Sequence, residues 1–398
     1  MAHTFDPVRE AEEFREQLGS DKRRLMFFFG AGTSQAVGLD GIVQLTANIS
    51  GDLTGTNKAH YDRLRGALKN ANVESILSNI RLHREIIAQG EKTSGGFKDD
   101  EAGDLDRAIC AAIYKRVTIT PPKGFNCHAD FASWLNSIER SKPVEIFSTN
   151  YDLLFERGME IAEVPFFDGF VGGVEPYFSD AAVDFANEQN QKIPRGWVRF
   201  WKMHGSVGWK AKDEDITGTR KVIRVPLVKP GKSDDIMVFP SQDKYKDSRK
   251  LPFISLQDRL RRATGTGEGL LVVAGYSFSD EHINDIIFSN LRANNRFSVT
   301  VLLFDKLSSA NIKEKLLKPA KGIRNLTVYA PDGALVGGIE GTWIEPTKKP
   351  DGTDKWPFWD DAKKEFTLGN FACLPGFLRE FLGARPLAVK APDAGAAP

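Results

Sequence analysis

Four short polar clusters carry side chains with recognisable chemistry: Gly30-Ala31-Gly32-Thr33-Ser34, Thr149-Asn150-Tyr151-Asp152, His204-Gly205 and Gly275-Tyr276-Ser277. Glycines let a backbone approach a diphosphate, and a helix N-terminus that follows favours its charge. An asparagine such as Asn150 can orient a water. A histidine such as His204, with an ordinary pKa of about 6.5, can take a proton near neutrality. Alone, each cluster has a plainer reading. Gly30–Ser34 lacks the third glycine of a dinucleotide fingerprint and the Gly-Lys-Ser/Thr ending of an ATP loop, and it also fits a tightly packed strand-to-helix turn. Asn150 and Asp152 fit an Asx turn or a helix cap. His204 fits a hydrogen-bonded core histidine.

The elements around them narrow the choice. Each cluster ends a short apolar run: Leu25–Phe29, Val144–Ser148, Val198–Met203 and Leu270–Ala274. Two more runs follow, Val299–Phe304 before Asp305 and Leu326–Tyr329. Helical stretches are expected at 6–20, 280–293 and 308–317. Strands that are apolar throughout, alternating with helices, predict an α/β fold: a Rossmann-like parallel sheet with helices on both faces. Ligands of such sheets bind at the carboxyl ends of strands, where the polar clusters lie. Between 57 and 140, Leu64, Leu68, Ile76, Leu77, Ile80, Ile86 and Ile87 recur at helical spacing among charges, which predicts a helical insertion lobe. One catalytic unit is expected over 1–330 and a C-terminal extension over 331–398. The extension reads as loop from 331 to 370, a short helix near 375–382 and a disordered tail of about fifteen residues. Phe371, Leu374, Phe377, Leu378 and Phe381 would form an apolar face there, for assembly or to cover the sheet.

Composition excludes several classes. The chain has 398 residues, with 54 basic against 53 acidic side chains and a net charge of +1. That balance argues against a nucleic acid as the direct substrate. The basic run Arg259, Arg261, Arg262 reads as a solvated helix face. No apolar run approaches the ~20 residues of a membrane span. The first 24 residues are dense in charge without an apolar secretory core, so a cytoplasmic protein is expected. The 3 cysteines, Cys110, Cys127 and Cys373, cannot build a four-thiolate zinc site. Cys127-His128 reads as buried packing, and no metal is expected.

Taken in order along the chain, the clusters resemble the sirtuin family over about residues 25–330. They are most similar to the divergent sirtuin-like domains of bacterial anti-phage defence. The resemblance rests on the Gly-Ala-Gly-x-Ser turn, Gly38-Leu39 with a following Leu45, Asn150-Tyr151-Asp152, His204-Gly205, and the stretch Gly275-Tyr276-Ser277-Phe278-Ser279-Asp280-Glu281-His282-Ile283-Asn284. It implies NAD bound across the sheet. Gly30, Ala31, Gly32, Thr33 and Ser34 would wrap the diphosphate. Asn150 would lie near the nicotinamide ribose and a water, Asp152 would bond the nicotinamide amide, and His204 would act as base on the ribose hydroxyls. Gly275, Tyr276 and Ser277 would hold the adenosine side, Asp305 the adenosine ribose, and Thr149, Asp280 and His282 would join the cofactor-binding set.

Departures from the family pattern sharpen the expectation. There is no Cys-x-x-Cys pair for a zinc ribbon. The family's Gly-Ile-Pro-Asp-Phe-Arg stretch is replaced by Gly38-Leu39-Asp40-Gly41-Ile42, and Thr149 stands where a glutamine is usual. Water rather than an acyl-lysine then becomes the acceptor. The expected activity is NAD hydrolysis to nicotinamide and ADP-ribose, draining NAD during infection. The resemblance further implies a homo-oligomer partnered by a HerA-type hexameric ATPase. The alternatives are a protein deacylase or ADP-ribosyltransferase, a non-catalytic subunit that senses NAD or ADP-ribose, and a nuclease or DNA-binding subunit.

Overall fold

In the computed structural model the six apolar runs form β1 (Arg24–Phe29), β2 (Glu145–Ser148), β3 (Val198–Lys202), β4 (Gly269–Ala274), β5 (Phe297–Leu302) and β6 (Leu326–Ala330). The structure describes residues 3–69, 71–118, 126–185, 194, 196–213, 220–225, 236–238, 251–346 and 356–380. The six strands lie in the order β3-β2-β1-β4-β5-β6, and every neighbouring pair is parallel. This is the Rossmann order. The chain lays β2 and β3 on one side of β1, then returns to lay β4 on the other. The carboxyl ends of β1 and β4 therefore flank the switch-point crevice. All of β1 is buried, and its side chains divide by parity: Leu25, Phe27 and Phe29 enter one core, Met26 and Phe28 the other. A strand covered on both faces must be apolar throughout, which is why these runs were readable.

Helix α1 (Pro7–Gly19) packs Ala11, Phe14 and Leu18 on the Phe27 face, and Asp6 caps it by accepting from the Val8 N–H at 3.0 Å. After β1 and one short turn of helix come four longer helices: α2 (Ile42–Asp52), α3 (Gly55–Ala67), α4 (Val73–Ala88) and α5 (Glu101–Val117). They share their own core, with Leu45, Ile49, Tyr61, Ile76, Ile80, Leu105 and Ile109 at its centre. Helix α6 (Cys127–Ser137) lies within the span read as lobe, yet it buries Phe131, Trp134 and Leu135 against the sheet. The aromatic faces of β1 hold it there: Phe27 meets Phe131 edge-on at 5.0 Å. Helix α7 (Leu154–Ile161) covers the same face, while α8 (Phe253–Gly265) and α9 (Glu281–Ala293) cover the other.

Two regions differ from expectation. The stretch 331–370 is not simply loop: β7 (Gly333–Val336) and β8 (Ile339–Trp343) form an antiparallel hairpin on β6, and His3–Phe5 pairs parallel with β8 at the edge. The outer strand β8 is mostly exposed and lacks a continuous apolar run, and β7 is only 4 residues long. Beyond them Trp356, Phe358, Phe366 and Phe371 join α10 (Leu374–Arg379) in the sheet core, where Leu374, Phe377 and Leu378 are fully buried. That apolar stripe covers the sheet; Phe381 and the last fifteen residues lie outside the described residues. The second region is a small antiparallel sheet of Ile236–Val238, Gly205–Asp213, Arg220–Arg224, Tyr177–Phe178 and Phe170–Val171. Its strands are short or of mixed polarity, and the longest of them, Gly205–Asp213, begins directly after His204.

Candidate active site

Three glycines bring the crevice together. A Cβ on Gly30 would stand 2.5 Å from the Gly275 carbonyl oxygen, and one on Gly32 would stand 2.6 Å from the Gly275 Cα. Gly275 itself has φ +65, a left-handed conformation suited to glycine. The loops after β1 and β4 therefore cross backbone on backbone. The Gly32 N–H donates to the Gly275 carbonyl at 2.8 Å, and the Gly30 N–H to the Ala274 carbonyl at 3.1 Å. A short helix, Gly32–Gln35, starts at the crossing.

The loop after β2 meets this crossing through side chains. The Asn150 Nδ2 donates to the Thr33 Oγ1 and to the Ser34 Oγ, both at 2.9 Å. Ser34 in turn donates to the Asp152 Oδ2 at 2.6 Å, and the other carboxylate oxygen accepts from the Leu154 N–H at the start of α7. Thr33, Ser34, Asn150 and Asp152 are all buried. The donor directions fix the amide: its nitrogen serves the two hydroxyls, and the buried Asn150 Oδ1 has no partner among the described residues.

His204 follows β3. Its Nε2 lies 3.1 Å from the Asp280 Oδ2, and both side chains are about 15% exposed (14% and 15%). The other oxygen of Asp280 caps α9, accepting from the N–H groups of His282 at 2.9 Å and Ile283 at 3.2 Å. So the loops ending β1, β2, β3 and β4 converge, and they carry Gly30–Ser34, Asn150, Asp152, His204 and Gly275. Not every predicted residue presents its side chain there. Tyr276 turns into the core, its hydroxyl donating to the Asn284 Oδ1 at 3.0 Å. Ala31 and Ser277 are exposed, Thr149 and His282 half-buried, and Asp305 is exposed beyond the end of β5.

Sequence reasoning missed the charges beneath the site. Lys202, the last residue of β3, is 2% exposed; its ammonium donates to the Asp152 carbonyl and lies 3.2 Å from the Glu156 Oε1. Burial pushes the Glu156 carboxyl up to about 7, against the pull of Lys202 and aided by Asp152. At the opposite end of β2, Glu145 accepts from Trp201 at 3.0 Å and from Arg259, with Arg199 at 3.4 Å. Burial alone would raise Glu145, but the two guanidiniums hold it at about 2. Arg259 thus leaves the basic run read as a solvated face; it points inward, while Arg261 is exposed and pairs with Asp258. A signal for these residues existed: Arg199 and Lys202 interrupt a run whose neighbours must be buried on both faces. Charges there need partners.

The cysteines lie apart, Cys110 in α5, Cys127 opening α6 and Cys373 before α10. Among the described residues no three His, Cys, Asp or Glu side chains are placed to hold a metal ion, and no helix is long and apolar enough to cross a membrane. His128, beside Cys127, is packed against Phe155 and Phe371, and burial drives its pKa down to about 4.

Residues 144–326 match the model of a SIR2-like domain. No curated protein matches the chain. Among solved structures, a SIR2 homolog–NAD complex is 14% identical, covers 82% of this chain and 91% of its own, and superposes with a TM-score of 0.45. Two mutant Sir2 homologues in complex with ADP-ribose are each 12% identical over 94% of this chain and 98% of theirs, with TM-scores of 0.41 and 0.44.

Proposed function

We propose that this chain is an NAD glycohydrolase, cleaving the bond between nicotinamide and ribose to give nicotinamide and ADP-ribose. The observation that carries the reading is the fixed Asn150 amide, whose buried oxygen is left to accept from a water or a ribose hydroxyl. His204 and the crossing of Gly30 and Gly32 with Gly275 stand on neighbouring loops at the same end of the sheet, which supports the reading. The SIR2-like match spans Asn150, Asp152, His204 and Gly275, which supports the assignment.

The chemistry suits these groups. Nicotinamide leaves as a neutral base from a cationic precursor, so no strong acid is needed. The transition state resembles an oxocarbenium ion, favoured by fixed dipoles and a nearby carboxylate. Asn150 holds the hydroxyl or water in place, Asp152 binds the carboxamide, and His204 takes the proton. Gly30–Ser34 and Gly275 receive the diphosphate. Since the chain lacks the arginine loop and cysteine pairs of deacylating relatives, water is the acceptor in this reading.

In the cell we assign this activity to anti-phage defence in the cytoplasm, with the chain as a homo-oligomer gated by a HerA-type ATPase. The support is the resemblance of the stretch from Gly275 to Asn284 to defence-type domains. The test is to incubate purified protein with NAD, with and without the product of the adjacent gene, and follow nicotinamide. His204→Ala should lose roughly 10²–10⁴-fold, the usual worth of general-base help, and Asn150→Ala should also lower nicotinamide release. Intact NAD under every trigger tried sinks the hydrolase reading. Nicotinamide release that requires an acyl-peptide would favour deacylation.

A further inference from the structure

We propose that Asp280 is the positioning residue for the base. It holds His204 in the tautomer protonated at Nε2, leaves Nδ1 as the proton acceptor, and stabilises the imidazolium that forms. The proposal rests on the hydrolase reading above and assigns Asp280 a role distinct from contacting the nucleotide.

Three features of the geometry lead there. An ionised carboxylate only accepts, so the 3.1 Å contact puts a proton on Nε2. The pair is mostly buried, where its mutual attraction is weakly screened. Asp280 is also prevented from rotating. Its second oxygen is held by two N–H groups at the N-terminus of α9, a place that favours an anion.

The surrounding turn is braced as well. The Tyr276 hydroxyl lies 3.2 Å from the Asp280 carbonyl and 3.0 Å from the Asn284 Oδ1, and the Asn284 Nδ2 donates to the Phe278 carbonyl at 2.8 Å. Phe278 is kept at φ +54 within this net. Two phenols beside Asp280 stay neutral. Burial lifts the Tyr276 phenol well above its ordinary value, with Asp280 adding to the effect. Burial, then Glu74 from α4, does the same for Tyr151, with Arg81 opposing and Asp280 adding a smaller push. Lys315 donates to the neighbouring Ser279 hydroxyl at 2.9 Å.

The step balances without another reactant. The attacking water forms its bond to the ribose C1′ while the C1′–N bond breaks, its electron pair leaving with nicotinamide. The water proton passes to the His204 Nδ1, and the imidazolium later releases it to solvent. Asp280 stays ionised throughout.

The test exploits the double duty of Asp280. Asparagine and serine both cap helices as well as aspartate does, so Asp280→Asn and Asp280→Ser preserve α9 while removing the charge. Both variants should melt near wild type and keep KM. They should lose about 10²–10⁴-fold in kcat. The acid limb of the pH profile and the His204 pKa, read by NMR with His204→Gln as the assignment control, should both fall by about 1–3 units. An unchanged kcat and an unchanged His204 titration in either folded variant overturns the proposal. If wild type releases no nicotinamide but the His204 titration still falls, the hydrolase reading fails and the pairing stands.

Discussion

Gly32→Ala tests whether the backbone crossing makes the site. The new Cβ would sit 2.6 Å from the Gly275 Cα and 3.1 Å from its carbonyl oxygen. Carbon atoms pack at about 3.5–4.0 Å, so the loops after β1 and β4 must part by nearly an ångström. Both neighbours are backbone and cannot swing aside. The Gly32–Gly275 hydrogen bond at 2.8 Å would be strained or lost, costing about 1 kcal/mol. Overpacking adds about 1–3 kcal/mol, and the stiffer unfolded chain returns about 0.4–1 kcal/mol. The net expectation is a loss of roughly 1–4 kcal/mol in urea unfolding. Misplacing the crossing by an ångström should also lower nicotinamide release by about 10²-fold. Gly51→Ala is the control: it lies in α2 with nothing within 4 Å of the added Cβ. There the same chemical change should stabilise by about 0.5–1 kcal/mol and leave turnover alone. The reasoning is wrong if Gly32→Ala matches wild type in both stability and turnover.

Two further expectations concern the buried charges. Glu145→Gln strips the partner from Arg199 and Arg259 and should cost about 3–5 kcal/mol in urea unfolding. Activity per folded molecule should persist, because Glu145 opens β2 at the end away from the site. Glu156 gives a pH signature. Its folded pKa of about 7 exceeds its ordinary 4.5, so protonated Glu156 contributes stability that is complete below 4.5 and is lost as pH rises through about 7. Glu156→Gln should flatten the fall of stability across that window; a wild-type slope in the variant would contradict the burial argument.

The six central strands were legible because burial on both faces forces an unbroken apolar run, and the lobe because its helices keep one apolar stripe each. The crevice was legible because its residues sit where those runs stop. What escaped had weaker local signals. Gly205–Asp213 alternates Val207 and Trp209 with glycine and lysine, and its partner strands come from distant segments. Trp356, Phe358 and Phe366 obey no period, since they reach the core from turns and from a strand only two residues long. The pairing of His204 with Asp280 spans 76 positions and two loops, so only the sheet order brings it about. Tyr276 was legible as part of a motif but not in direction: its ring enters the core.

That division of backbone and side chain recurs in the Asn150-Tyr151-Asp152 turn and binds the lobe to the chemistry. Asn150 and Asp152 engage the loop after β1, while Tyr151 between them enters the lobe core. Its hydroxyl donates to the Glu74 carboxylate of α4 at 2.6 Å, and its carbonyl accepts from the Val207 N–H, three residues past His204, at 3.0 Å. One residue therefore touches the lobe, the strand that follows His204 and both polar members of its own turn. A displacement of α4 cannot leave Tyr151 in place without breaking a buried, charge-assisted hydrogen bond worth roughly 1.5–3 kcal/mol. It cannot take Tyr151 along without moving Asn150 against Thr33 and Ser34. The lobe is thereby tied, through Tyr151, to the turn that carries Asn150 and Asp152.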